Sequence, residues 1–175
     1  MKKLYFVRHG ESEANAKRLF AGRWDVPLTE LGLAQAHHAG RETKSLGIDL
    51  IVSSPLKRAR QTAETIASEI GYPKDKIVYS DLFKERDYGA MQEKPWDDAT
   101  GINFDTIPGA EKEAALLERA TEGAKFIRNL PEDNILIVGH GTNGRAILRS
   151  LTKQEGEVEV SLENEIPNGH PVRWI

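Results

Sequence analysis

Short apolar runs that alternate with helical patterns are the feature of this sequence that most constrains its fold. The runs that predict buried strands lie at residues 4–7, 49–52, 76–79 and 134–138. The stretches that carry helical periodicity or helix-end signals lie at residues 29–47, 54–71, 113–130 and 144–151. Strands that alternate with helices are typical of the α/β class. We therefore predict a three-layer α/β/α sandwich around a mostly parallel central sheet.

Local signals predict where the first two long helices begin and end. Thr29 is typical of a helix N-cap, and Gly47 is typical of the residue that follows the last turn. Ser54 and Pro55 predict the start of the second helix, with a hydroxyl cap followed by proline at the first helical position. Gly71 predicts its end.

Two stretches lack a clear helical pattern. Residues 82–110 carry several glycines and prolines, and they predict a short, irregular, cap-like insertion with at most one short helix. The tail has strand-like pieces around Val158, Val160 and Leu162 and again at residues 171–175, which predict an edge strand. We expect one domain that spans residues 1–175.

Composition excludes several classes of function. The chain has 24 Lys+Arg and 27 Asp+Glu, so its net charge of -3 provides no general attraction for nucleic acid. The absence of cysteine excludes thiolate metal sites, iron–sulfur clusters and cysteine nucleophiles. The sequence contains no run of 18 apolar residues, and its N-terminus lacks the apolar core of a signal peptide. We expect a cytoplasmic protein that does not bind membranes.

Charged and histidine side chains gather where the predicted strands end. The first strand is followed by Arg8-His9-Gly10-Glu11-Ser12, the second by Ser53-Ser54-Pro55-Leu56-Lys57-Arg58 and the fourth by Gly139-His140-Gly141. Parallel sheets bind ligands at the carboxyl ends of their strands. Arginine forks and helix N-termini both bind phosphate oxygens. The pattern indicates a pocket for a phosphoryl group, held without a metal.

These motifs resemble those of the histidine phosphatase superfamily, also called phosphoglycerate mutase-like. The first is Phe6-Val7-Arg8-His9-Gly10-Glu11-Ser12, followed by Asn15. The second is Ser54-Pro55-Leu56-Lys57-Arg58-Ala59-Arg60-Gln61-Thr62-Ala63, and the third is Val138-Gly139-His140-Gly141. They occur in the expected order, and the resemblance spans almost the whole chain.

The resemblance implies a catalytic role for five residues. His9 is expected to attack phosphorus and form a phosphohistidine, with its other ring nitrogen held by a backbone carbonyl. Arg8, Arg58 and His140 are expected to neutralise the phosphoryl oxygens. Glu85 matches the family's general acid, which must be protonated when it protonates the leaving oxygen. Other carboxylates remain alternatives for this acid, namely Glu11, Asp87, Glu93 and Glu111.

The resemblance also implies a set of substrate-binding residues. These are Asn15, Ser12, Gly22, Arg86, Tyr88 and Gly141. For Ser12 two roles stay open, a helix cap or a phosphate contact. No metal ligand is expected. The remaining histidines are His37 and His38, expected to be exposed or partly packed in a helix, and His170, which no motif surrounds.

Two motifs bear on the choice between a phosphatase and a mutase. The stretch from Glu85 to Gln92 resembles the mutases. Three residues depart from the mutase pattern, namely Ala21 far upstream, Asp87 within the stretch and Glu93 directly after it. The insertion that carries a paired-arginine clamp in the mutases is missing. A short cap leaves a phosphohistidine open to water, which favours hydrolysis. We therefore expect a phosphatase that needs no cofactor.

Two alternatives to the phosphatase remain. A phosphoglycerate mutase, which is a phosphoryl-transfer isomerase, would depend on 2,3-bisphosphoglycerate. A non-catalytic phosphate-binding protein could use the same fold. The expected partner is a small phosphorylated metabolite, and monomer and homodimer both stay open.

Overall fold

A five-stranded sheet forms the centre of the structure, a computed structural model that describes residues 2–153 and 167–174. The strands are β1 (Lys3–Arg8), β2 (Leu50–Ser53), β3 (Val78–Tyr79), β4 (Asn134–Gly139) and β5 (Pro171–Arg173). Their order is β3-β2-β4-β1-β5. The first four are parallel, and β5 pairs antiparallel with β1. The predicted mostly parallel sheet is confirmed.

Helices cover both faces of this sheet. A four-residue helix, α1 (Glu13–Ala16), lies in the loop after β1. The long helices are α2 (Glu30–Thr43), α3 (Lys57–Ile70), α4 (Glu113–Asn129) and α5 (Gly141–Lys153). Apolar side chains of α2 and α3 pack in one core and those of α4 and α5 in the other. The predicted three-layer sandwich is confirmed.

Alternation along β4 explains why the sheet supports two cores. Ile135 and Ile137 pack with α4 and α5, whereas Leu136 and Val138 pack with α2 and α3. Successive side chains of a strand point to opposite faces. A strand buried on both faces therefore reads as a continuous apolar run. Burial of each such side chain contributes about 1.5–3 kcal/mol relative to exposure.

Two helix starts differ from the predicted ones. Thr29 caps α2 as predicted, because its hydroxyl accepts from the Gly32 amide. Helix α3, however, begins at Lys57 and not at Ser54, since Leu56 at the N-cap position keeps an extended backbone. Helix α5 begins at Gly141, three residues before the predicted start at Gly144. Both predicted starts were wrong. In both places the local polar groups form hydrogen bonds in the site described below.

The insertion predicted at residues 82–110 contains more local order than expected. Four 3-10 helices lie in or beside it, at Asp81–Phe83, Gly89–Met91, Trp96–Ala99 and Phe104–Thr106. Aromatic rings hold it to the loop after β1, because Phe20 lies 5.0 Å from Tyr88 and 5.6 Å from Phe104 between centroids. The insertion is therefore a short cap that packs against the loop after β1.

The C-terminal segment supplies the predicted edge strand. Strand β5 places Val172 opposite Phe6, and Trp174 stacks on the Phe6 ring at 4.3 Å. The other predicted pieces of this tail, around Val158, Val160 and Leu162, lie outside the described residues. Among the helices that the structure describes, none has the length and apolar character needed to cross a bilayer.

Candidate active site

A pocket of about 500 Å³ opens where β1 and β4 end. Arg8 and His9 enter it directly from β1, and Gly141 and Thr142 enter it from the start of α5. The other lining residues that the argument uses come from the α1 loop, α3 and the cap, namely Asn15, Gly22, Arg58, Glu85 and Tyr88. This pocket lies at the carboxyl ends of parallel strands, where we expected the site.

His9 is held as a neutral imidazole in one tautomer. The ring is buried, and its Nδ1 lies 2.7 Å from the carbonyl oxygen of Gly10. Burial, together with the charges of Arg58 and Arg8, holds the pKa of His9 well below its usual value of 6.5. Nδ1 therefore carries the proton and donates a hydrogen bond to the carbonyl oxygen of Gly10. Nε2 then carries no proton, and its lone pair can accept a hydrogen bond or attack an electrophile.

Arg58 lies against that reactive nitrogen. Its Nε donates to His9 Nε2 at 3.2 Å, and its two terminal nitrogens donate to the carbonyl oxygens of Trp24 at 3.1 Å and Gly22 at 2.7 Å. Burial lowers the pKa of Arg58 from 12.5 to about 10, so the guanidinium stays charged at neutral pH. This cation is fixed before any ligand arrives, as electrostatic stabilisation of a transition state requires.

His140 is fully buried beside His9 rather than on the pocket wall. The two rings lie 5.1 Å apart between centroids, and His140 Nε2 is 2.8 Å from the Ser54 hydroxyl. Burial, with Arg58 nearby, also holds the pKa of His140 well below 6.5. Ser54 accepts a hydrogen bond from the Leu56 amide, so its own proton is free to point at Nε2. His140 Nδ1 then carries a proton that has no acceptor among the described residues.

Glu85 is anchored at the N-terminus of α5. Its carboxylate accepts hydrogen bonds from the amides of Arg86 at 2.8 Å, Asn143 at 2.9 Å and Thr142 at 3.1 Å. Unsatisfied amides and the helix dipole make a helix N-terminus a favourable place for a carboxylate. Glu85 therefore caps α5 from a distant segment, which explains why local signals missed the start at Gly141.

Most of the alternative acids lie off the pocket wall. Glu111 accepts two hydrogen bonds from Arg119, each at 2.8 Å. Burial raises the pKa of Glu111, but Arg119 and Arg23 outweigh burial and the net pKa is lowered. Asp87 accepts from the Gly89 amide, and Glu93 is exposed. Glu11 does line the pocket, so the structure leaves Glu11 and Glu85 there.

Ser12 and Asn15 form a capping box on α1. The Ser12 hydroxyl accepts from the Asn15 amide, while the Asn15 side-chain oxygen accepts from the Ser12 amide at 3.0 Å. Of the two roles left open, the structure shows Ser12 as a buried cap. Asn15 lines the pocket, and its occupied oxygen leaves the side-chain NH₂ as the group that can donate to a ligand.

Gly22, Tyr88 and Gly141 all line the pocket, as predicted. Gly22 has a φ of +51°, and a Cβ there would lie 2.5 Å from the Gln92 side-chain oxygen. The Tyr88 hydroxyl lies 2.8 Å from the Thr142 hydroxyl, and burial raises its pKa, so the phenol keeps its proton.

A comparison with protein families decides the relationship that the motifs suggested. The family model described as histidine phosphatase superfamily (branch 1) matches residues 4–165. This chain belongs to the histidine phosphatase superfamily. The uncharacterized phosphatase PhoE of Bacillus subtilis (strain 168) is 37% identical over 161 residues, which are 91% of this chain and 82% of PhoE.

Other relatives of this chain include one that is named as a mutase. The probable phosphoglycerate mutase GpmB of Salmonella paratyphi B is 34% identical over 154 residues, covering 81% of this chain and 70% of GpmB. A solved mycobacterial glucosyl-3-phosphoglycerate phosphatase, complexed with VO3, has a TM-score of 0.81. It is 21% identical, with 99% of this chain and 92% of that chain covered, and it shares the fold.

Arg86 is not among the residues that line this pocket. Its guanidinium donates to the Glu111 carbonyl oxygen at 3.0 Å and to the Asp105 carboxylate at 2.9 Å, and it lies over the Phe104 ring. The structure thus does not place this expected substrate-binding residue on the pocket wall, and its observed contacts lie within the cap. Its partners lie 19 and 25 residues further along the chain, where no local pattern points to them.

Four polar residues of the pocket were missed, one of which is Thr142, whose amide donates to Glu85 and whose hydroxyl lies beside that of Tyr88. Arg145 extends from α5 and has no hydrogen bond or ion pair within the described part of the chain. It follows Gly141 by four residues on the same helix, so the third motif could have located it. Gln35 accepts from the Glu11 amide at 2.7 Å, and Asn168 donates to the His9 carbonyl oxygen at 2.7 Å. No local signal distinguishes these two.

Proposed function

We propose that this chain is a phosphatase that hydrolyses small phosphate monoesters through a phosphohistidine at His9, without a metal. The observation that carries this proposal is the state of the imidazole. Nδ1 donates a hydrogen bond to the carbonyl oxygen of Gly10, Nε2 carries no proton, and Arg58 lies beside Nε2. A neutral, oriented histidine beside fixed cations suits attack on a charged phosphoryl group.

The first half of the reaction forms a bond between His9 Nε2 and phosphorus and breaks the bond from phosphorus to the ester oxygen. The guanidinium groups of Arg8 and Arg58, which line the pocket, are proposed to neutralise the phosphoryl oxygens. His140 lies behind this wall beside His9, and its Nδ1 proton is proposed to face the same oxygens once a phosphoryl group is bound. Glu85, with both carboxylate oxygens placed by backbone amides, is proposed to donate its proton to the leaving oxygen.

The second half returns the enzyme to its starting state. Glu85, now ionised, takes a proton from water while the water oxygen attacks phosphorus. The bond from Nε2 to phosphorus breaks, inorganic phosphate leaves, and His9 is neutral again. No electron transfer and no further co-reactant are needed.

The size of the pocket supports a metabolite as the substrate. A volume of about 500 Å³ lies in the range of small-molecule sites. The cap is short, and Arg86, which could have contacted substrate, is bound to Asp105 and Glu111 instead. A mutase must keep water from its phosphoenzyme while an intermediate reorients, so a short cap favours hydrolysis.

A phosphoglycerate mutase is the second candidate. GpmB, a relative at 34% identity, carries the name of a probable mutase, and Tyr88 of the mutase-like stretch does line the pocket. This function would require 2,3-bisphosphoglycerate to phosphorylate His9. A protein that only binds phosphate is a weaker explanation, because simple binding does not require a buried histidine whose unprotonated nitrogen lies beside an arginine.

Phosphorus NMR separates these functions. The purified protein is incubated with 3-phosphoglycerate, with and without 2,3-bisphosphoglycerate, and in parallel with p-nitrophenyl phosphate. We expect inorganic phosphate from the esters and no isomer. Formation of 2-phosphoglycerate that depends on the bisphosphate would instead make the protein a mutase.

The His9→Ala variant tests the nucleophile in the same assay. We expect turnover to fall at least about 1,000-fold while circular dichroism shows a retained fold, because loss of a nucleophile removes the covalent route. His37→Ala, which removes an exposed histidine on α2, is the matched control and keeps normal turnover. Retained turnover in His9→Ala would refute the phosphohistidine mechanism.

A further inference from the structure

Three metal-ligating side chains meet on the surface of α2, away from the residues that line the active-site pocket. His38 and Glu42 lie one turn apart on the helix, with His38 Nε2 and Glu42 Oε1 separated by 3.5 Å. His170 comes from the C-terminal segment, and its Nδ1 is 4.0 Å from Glu42 Oε2. All three ligand atoms lie within 4.8 Å of one another, and all three residues are exposed.

The separations suit a small divalent transition-metal ion. Zinc binds histidine nitrogen and carboxylate oxygen at about 2.0–2.2 Å, which places two ligands of a tetrahedron about 3.4 Å apart. His38 and Glu42 already meet this separation, and exposed side chains can close the remaining gaps by rotation. Two histidines and one carboxylate suit Zn²⁺ better than Ca²⁺ or Mg²⁺, which prefer oxygen ligands.

We propose that His38, Glu42 and His170 form a Zn²⁺ site that fastens the C-terminal segment to α2. Two residues that precede His170 connect this segment to the backbone of Arg8 and His9. Asn168 donates to the His9 carbonyl oxygen, and the Gly169 amide donates to the Arg8 carbonyl oxygen at 2.9 Å. A metal bound at His170 stabilises the segment that supports the backbone of Arg8 and His9. The ion has a structural role and takes no part in phosphoryl transfer.

Calorimetric titration of the full chain with Zn²⁺ at pH 7.5 tests the site. We expect a 1:1 complex whose Kd rises at least about tenfold in His38→Gln, Glu42→Gln and His170→Gln. His37→Gln is the matched control, because His37 lies on the same helix but pairs with Glu69 and is not one of the three ligands. Its Kd should equal that of the wild type. Equal Kd values in all four variants and the wild type would overturn the proposal.

Two further measurements test the fastening itself. Saturating Zn²⁺, at about one hundredfold above the wild-type Kd, should raise Tm by about 5 °C or more in the wild type and by no more than about half as much in His170→Gln. Hydrogen exchange at the amides of Gly169 and Trp174, which bond to Arg8 and Leu4, should slow on Zn²⁺ binding. Zn²⁺ that binds at the three ligands without slowing this exchange would refute the link to the C-terminal segment.

Discussion

Burial acts on individual side chains of this site by selecting their charge state. His9 and His140 are both buried, and each lies close to Arg58, which explains why both imidazoles stay neutral. Burial lowers the pKa of Arg58 to about 10, but the nearby Glu85 and Asp25 oppose this shift and the guanidinium keeps its charge. Its nitrogens donate to His9 Nε2 and to the carbonyl oxygens of Gly22 and Trp24. The result is a neutral imidazole beside a fixed cation, the combination that the proposed attack on phosphorus needs.

Replacement of Arg58 by alanine tests that cation. We expect Arg58→Ala to lower kcat/KM for phosphate esters at least about 100-fold, the scale for loss of one preorganised charge stabiliser. Arg60→Ala is the matched control, because Arg60 lies on the same helix but is exposed and stacks on Tyr79. Steady-state assays of both variants with p-nitrophenyl phosphate check this. A near-normal rate in Arg58→Ala would show that its charge does not act on phosphate.

Helix α2 packs closely against the loop that follows His9. Its cap residue Thr29 donates from its hydroxyl to the Glu11 carboxylate at 2.8 Å and from its amide to the Glu11 carbonyl oxygen at 2.9 Å. In the first turn, Gly32 lies so close to Glu11 that a Cβ on Gly32 would be 2.0 Å from the Glu11 carbonyl oxygen. Glycine is therefore required at position 32, where α2 contacts the Glu11 backbone.

The methyl group of an alanine at position 32 should push α2 away from the loop that contains Glu11. We expect Gly32→Ala to lower the free energy of unfolding by about 1–3 kcal/mol, the usual cost of overpacking. Gly123→Ala in α4 is the matched control, because its Cβ would meet Ile147 Cδ1 at an accommodating 3.4 Å, and alanine gains up to about 1 kcal/mol of helix propensity. Urea unfolding compares both variants. Wild-type stability of Gly32→Ala would contradict this close approach.

The stability of the whole molecule should depend on pH because two histidines are buried without charge. In the folded state the pKa values of His9 and His140 lie well below 6.5, whereas the unfolded chain binds protons normally. The unfolded state therefore holds more protons in acid. Stability is complete above about pH 6.5 and falls as the pH decreases below that value.

The expected slope is about 1.4 kcal/mol per pH unit for each buried histidine. Urea unfolding of the wild type at pH 7.5, 6.0 and 5.0 measures the total slope. We expect His9→Asn to lower this total slope by about 1.4 kcal/mol per pH unit, because it removes one of the two buried histidines. A His9→Asn slope equal to that of the wild type would show that His9 is not buried in its neutral form.

Local sequence patterns determined much of the fold and the position of the site. Apolar runs such as residues 134–138 marked the strands, because a strand buried on both faces needs apolar side chains at every position. Thr29 marked a helix start, because its hydroxyl bonds an amide three residues away. The strand-end motifs marked Arg8, His9 and Arg58, since the ends of parallel strands meet at one edge of the sheet.

Tertiary structure alone decided the features that join segments far apart in the chain. Glu85 caps α5 across 57 residues, Arg86 bonds to Asp105 rather than to the pocket, and Asn168 supports His9 from 159 residues away. Long polar side chains have many rotamers of similar energy, so their direction is set by the partners that folding brings near. Periodicity and capping depend on residues within about one helical turn, and therefore a sequence displays them directly.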